Sequence, residues 1–271
     1  MSDAVASRPS PPATAPLRLR RIVLPYATIT GAVLLILWQL ATYVFHIPSY
    51  LLPTPLDILA SMIADWRLLL RHSWVTVAEI GAGFAISVLT GVPIAICVTY
   101  SKFFDRAVYP LIVGSQTIPK VAIAPILLAW FGFGIAPKMI IVVLVAFFPI
   151  VINTVVGLRS APPQMIHLAR SMGASGWQIF WRFRMPQALP SIFAGMKMAT
   201  ILSVIGATVA EFVGAESGTG YLIMIAGNNF DIARQFSAVT VLSLVGMVFF
   251  WLVERVERLC LPWHVSIRGQ H

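Results

Sequence analysis

Charge is what this chain has least of: 11% of its 271 residues are Asp, Glu, Lys or Arg, against about a quarter in soluble domains. Together with 58% hydrophobic residues, that scarcity excludes an ordinary soluble globular protein. Cysteine is nearly absent. Its two copies, Cys97 and Cys260, stand far apart, so no disulfide framework or cysteine-rich metal site is built in. His46, His72, His167, His264 and His271 show no ligand spacing. There is no Gly-x4-Gly-Lys-Ser/Thr loop, and the glycine pair at 173–176 is too short to cradle phosphates, so the chain is not expected to bind or hydrolyse ATP. No Ser or Cys nucleophile has a partner motif, which leaves an intramembrane enzyme little to rest on.

What the chain does have is apolar length. Runs able to cross a hydrocarbon core of roughly 30 Å cover residues 22–44, 75–100, 109–130, 137–156, 192–212 and 236–253. The expectation is an all-α membrane protein with six transmembrane helices in one domain, 22–257. Residues 1–21 are expected to form a disordered tail, because 1–17 are rich in Pro, Ala and Ser and have little to bury. A signal peptide is the competing reading of the first apolar run. That run, after Arg21, is longer than a usual signal core and has no small-residue cleavage site, which favours a retained first helix. Pro48, Pro53 and Pro55 break the next stretch, and 56–70 has the spacing of a helix lying along the membrane surface.

Between the fourth and fifth runs lies a basic loop, 158–190, whose segment 165–190 reads as two short helices. Pro162 and Pro163 suit a helix start and Gly173 the turn that ends it. Ser175 with Gln178 is a capping-box pattern, and Pro186 and Pro190 are expected to stop the second helix. With this elbow on the cytoplasmic side, the inner segments hold thirteen bases and the outer loops four, namely Arg67, Arg71, Lys138 and Arg234. That asymmetry obeys the positive-inside rule and puts both termini, including a short tail at 258–271, in the cytoplasm. Because the excess of bases is confined to one side, the net charge of +9 is attributed to membrane orientation and carries no nucleic-acid meaning.

The elbow resembles the cytoplasmic loop of ABC-importer permeases, whose motif reads Glu-Ala-Ala, three residues, Gly, nine residues, Ile-x-Leu-Pro. The aligned residues are His167, Leu168 and Ala169, then Gly173, with Ala174 and Ser175 in the turn, then Phe183 to Pro186; His167 stands where the motif has its acid. The Leu-Pro-x-Pro segment near residue 52 resembles the nitrate, sulfonate and taurine branch. The stretches 115–134, 146–160 and 204–223, with Leu261-Pro262-Trp263, look like permeases for riboflavin or thiamine-precursor pyrimidines. The resemblance implies a type I importer (MetI-like) fold and a bacterial inner-membrane location. It also implies a second permease copy, two ATPase subunits that carry ATP and magnesium, and a periplasmic or lipid-anchored solute-binding protein. In such systems the elbow is the coupling helix seated in the ATPase, and the loop 214–236 faces the solute receptor and helps close the outer gate.

Residues inside the spans are read on their own chemistry. Gly206, Ala210 and Gly214, and beside them Ala199, Ser203 and Ala207, place small residues on two faces of the fifth span, where helices can approach closely. Lys120, between Pro119 and Pro125, is either part of a translocation pathway or one half of an ion pair. Glu79 and Glu211 are expected to reach interfacial water, with Glu211 a further pathway candidate, and Lys197 to snorkel. In the outer loop, Tyr221, Asn228 and Asn229 are plausible contacts. The rival to an importer subunit is a proton- or ion-coupled secondary transporter using Lys120 and Glu211; it predicts inverted repeats, of which the sequence shows none convincingly.

Overall fold

The computed structural model describes residues 26–262, and among these every regular element is helical. In chain order they are α1 (Tyr26–Val44), α2 (Pro55–Ala64), α3 (Trp66–Tyr100), α4 (Tyr109–Gly114), α5 (Lys120–Phe131), α6 (Ile135–Arg159), α7 (Pro163–Ser171), α8 (Gly176–Ile179), α9 (Met185–Gly214), α10 (Thr219–Asn228) and α11 (Ile232–Cys260). The expected tail at 1–21, the start of the first apolar run and most of the tail expected at 258–271 lie outside the described residues.

Among the described residues four helical segments are long and apolar enough to cross a bilayer: α3, α6, the stretch Gly176–Gly214 and α11. The third expected span takes a different form. Its two halves, Phe104–Thr117 and Lys120–Phe131, meet at 98°, because Ile118 adopts the extended backbone that a following proline imposes and Pro119 has no N–H to continue the helix. The described part of the first run is a peripheral helix, α1, with Leu34, Ile36 and Leu37 exposed, as suits a lipid-facing surface. The expected surface helix at 56–70 is also divided. Thr54 and Asp57 form a capping box for α2, which ends at Ala64, and α3 begins at Trp66. Asp65 between them is held by Arg234 Nε at 2.8 Å, so the junction is pinned to α11.

At the centre, α6 lies between α3 and α9. Apolar tails of lipid offer helices no hydrophobic incentive to associate, so close packing carries the contact and small residues allow it. Ala199 and Ala207 are fully buried, the former with Ala146 and Ile150 of α6, the latter with Ile80 of α3 and Val142 of α6. Gly206 approaches the backbone of Val142, and Ala210 packs with Ala124, Leu127 and Ile141. One close backbone approach lies outside the small-residue stripes: a Cβ at Gly195 would lie 2.8 Å from both Pro149 O and Asn153 Cβ. Gly195→Leu is therefore expected to wedge α6 from α9 and cost about 1–3 kcal/mol. Gly31→Leu, with open space around it, should stay within about 0.5 kcal/mol of the parent. Equal thermal stability of the two variants in detergent would contradict this packing.

Candidate functional site

Two places concentrate structure beyond simple packing, and they sit at opposite ends of the bundle. The first is the elbow. Pro163 starts α7, and a Schellman motif ends it: Ala174 N–H donates to Ala169 O at 3.0 Å and Gly173 N–H to Arg170 O at 2.9 Å. Gly173 holds φ +80°, a left-handed backbone that favours glycine. Ser175 then caps α8, accepting from Gln178 N–H at 3.3 Å while Gln178 Oε1 accepts from Ser175 N–H at 2.8 Å. Ala161, Ile166, Ala169 and Ile179 bury one another beneath Ala174 and Phe183. This small core fixes the angle between the two arms. Leu168 at 63% and Met172 at 79% are exposed on the outward side of α7, and His167 is exposed on the face turned toward the bundle.

Pro186 and Pro190 do not stop the second arm. Helix runs on from Gly176 to Gly214, 39 residues. One widened π-turn at Phe180–Arg184 precedes Pro186, and such a turn relieves the missing N–H and the ring clash that a proline brings to a regular helix. Phe180 is seated among Leu158, Ala188 and Ile192, so the elbow's second arm is the start of the transmembrane rod.

The far end of that rod holds the second place, a buried polar cluster. Glu79 and Glu211 are both fully buried, so neither reaches interfacial water. Lys138, placed in an outer loop by its sequence position, is buried in α6 and donates to Glu79 Oε1 at 2.9 Å and to Ser217 O at 3.3 Å. Glu211 accepts from Thr76 Oγ1 at 2.7 Å and from Gly220 N–H at 2.5 Å. Thr219 N–H donates to Thr76 Oγ1 at 2.7 Å, and Gly218 N–H to His72 Nδ1 at 3.1 Å. A side chain at Gly218 would occupy the space of the Glu211 carboxylate. The cluster thus fastens the Gly218–Thr219–Gly220 turn, and with it the half-buried loop helix α10, to α3 and α9. A charge this deep persists only when paired or hydrogen-bonded, and one oxygen, Glu79 Oε2, accepts no hydrogen bond from a donor among the described residues.

The remaining expected site residues are distributed elsewhere. Lys120 stands at the start of α5, directly after the broken turn, with its ammonium 4.4 Å from the Phe148 ring centre. Lys120 forms no salt bridge among the described residues, and the structure does not bring it to Glu211. Lys197 pairs with Glu257 of α11 at 2.7 Å; the neighbouring helix offers a carboxylate at its own depth, so it does not need to snorkel. Gly214 closes against Leu128 of α5. Tyr221 stacks on His72, 5.9 Å between centres. The pairing of Glu79 with Lys138 was missed because the signal is not local. Only two oppositely charged residues near matching ends of the second and fourth apolar runs hinted at it.

Comparison with known proteins bears on what these features serve. A family model described as "Binding-protein-dependent transport system inner membrane component" matches residues 83–260. The formylaminopyrimidine transport permease protein ThiX of Halalkalibacterium halodurans is 38% identical over 237 residues, 87% of this chain and 94% of the relative. The riboflavin transport system permease protein RibX of Chloroflexus aurantiacus is 33% identical, over 88% and 90%. Among solved structures, an inward-facing MetNI methionine ABC transporter superposes with a TM-score of 0.60 at 20% identity, covering 72% of this chain and 96% of that one.

Proposed function

The chain belongs to the binding-protein-dependent transport system inner membrane components, the permease subunits of ABC importers, and from that premise we propose a coupling route through it and a class of solute. The elbow is the docking element for an ATPase subunit. The apolar side of α7, with Met165, Leu168 and Met172 exposed, is the surface that meets it, and His167 takes the position of the motif's acid. ATPase closure moves the elbow, the rod carries that movement across the membrane, and the polar cluster with its Gly218 turn responds at the outer end. One observation supports this route above others: helix is continuous from the elbow's second arm past Glu211 to Gly214, a rod of 39 residues and roughly 58 Å.

In this reading the elbow end is cytoplasmic, both termini lie there, and the chain pairs with a second copy of itself. It holds no ATPase site of its own; ATP and magnesium are carried by the partner subunits. The tail at 1–21 and the six-span domain at 22–257 remain part of the proposal. The solute is a small heteroaromatic of the pyrimidine or riboflavin type, with sulfonates including taurine, and nitrate, as the other classes; the names of the relatives support the first.

Reconstitution with the ATPase and the solute receptor tests the proposal: uptake that proceeds equally well without ATP would overturn it, and binding of candidate solutes to the receptor ranks the substrates. Gly173→Val is the narrower test. Open space surrounds the position, so the variant acts through its backbone alone, at about 1–2 kcal/mol for a non-glycine residue in the left-handed region. ATP hydrolysis should persist while solute moved per ATP falls. An unchanged ratio would count against the elbow.

A further inference from the structure

A cavity of about 400 Å3 opens between the elbow and the bundle, lined by Arg159, Arg170, Arg184, His167, Thr99 and Ile166. Among the described residues no acidic side chain lines it. Arg159 is matched by Asp105 at 2.6 Å, but Arg170 and Arg184 have no salt-bridge partner among the described residues. Arg184 lies over the Tyr100 ring at 5.3 Å, and its Nε is buried without an acceptor among the described residues. An unmet buried donor on a charged group is costly, and the described residues lining the cavity offer it no anionic acceptor.

The position of the cavity narrows which acceptor would suit it. Pro163, Ile166, His167 and Arg170 share the face of α7 turned toward the cavity, while Met165, Leu168 and Met172 project from the other side. The basic face thus looks toward the bundle and away from the surface proposed for the ATPase. Thr99 and Arg159 stand in the last turns of α3 and α6, so the cavity lies where those spans end. Exposed Tyr100, Trp177 and Trp181 occur at the same level, as aromatic residues do at a membrane–water boundary. Guanidinium groups recognise phosphate through paired N–H donors, and basic pockets between helices at this depth suit lipid headgroups.

We propose that this cavity is a binding site for an anionic phosphate group, supplied by a phospholipid headgroup or by free phosphate, that ties α7 to the ends of α3 and α6. The site rests on the proposed function only in placing the ATPase on the other face of α7; the cavity and its bases carry the rest. The test is native mass spectrometry of the full-length protein, detergent-purified and incubated with phosphatidylglycerol or with phosphatidylcholine, each with and without excess inorganic phosphate. Phosphatidylglycerol should be retained in preference to the zwitterion. Arg170→Gln should weaken retention about fivefold and Arg170→Gln with Arg184→Gln roughly thirtyfold, at the usual contribution of a base near an anionic headgroup. Arg106→Gln removes the same charge from an exposed position at the same end and should change retention less than about twofold. Retention unaffected by inorganic phosphate assigns the site to the lipid, and competition by it assigns the site to free phosphate. Equal retention of both lipids, or equal loss in Arg106→Gln and Arg170→Gln, would overturn the proposal. So would full displacement of the lipid when the ATPase subunit is added, since a protein carboxylate would then be the occupant. Because Arg170 is exposed, its single variant keeps the test readable if the double variant fails to fold.

Discussion

Lys138→Met is expected to destabilise the protein by about 3–5 kcal/mol, the usual cost of leaving one member of a buried ion pair without its partner. Lys138 and Glu79 have side chains only 7% and 1% exposed, and the second Glu79 oxygen accepts no hydrogen bond from a donor among the described residues, so the variant leaves the carboxylate buried without its counter-charge. Adding Glu79→Gln to Lys138→Met removes that charge and should restore most of the loss. A double-mutant cycle read by thermal unfolding in detergent measures the coupling between the two. If Lys138→Met matches the parent, or if Glu79→Gln fails to rescue it, the pair does not support the outer end of the bundle.

Gly218→Ala is expected to have the next largest effect, and on function more than on stability. Gly218 has φ +120° and ψ 163°, a region essentially reserved for glycine, where a side chain costs about 1–3 kcal/mol. The added Cβ would also take the space of the Glu211 carboxylate, the group that receives Gly220 N–H and Thr76 Oγ1. The turn must then leave the cluster. Under the proposed coupling route, stimulation of ATP hydrolysis by the loaded solute receptor should be lost while basal hydrolysis remains. Glu211→Gln keeps the shape of the side chain and should retain more of the stimulation than Gly218→Ala. Full stimulation in Gly218→Ala would separate the turn from signalling across the membrane.

The elbow was legible residue by residue because its determinants are local. Pro163, Gly173 and the Ser175–Gln178 box each act within one turn of chain, and each does in the structure what its type and spacing imply. The same holds for the apolar runs that became α3, α6, α9 and α11, since partition into lipid depends on the composition of the segment itself. Local rules failed where neighbours intervened. Pro186 reads as a helix stop, yet the helix continues past it, because a π-turn and the packing of Phe180 carry the chain through. Residues 109–130 read as one apolar run, yet the segment bends at Ile118–Pro119 into two arms.

Sequence alone therefore determined the class of this protein, its helical membrane domain and the shape of the 165–190 elbow, since hydropathy, capping and turn chemistry act over a few residues. Tertiary structure decided which charges are paired and which ends are joined. Glu79 finds Lys138 across 59 residues, Lys197 finds Glu257 across 60 and Arg234 finds Asp65 across 169. Nothing in the chain around either member of those pairs encodes the other. The price of burying a lone charge requires that Glu79 and Glu211 find partners, and the packing of α3, α6, α9 and α10 supplies them.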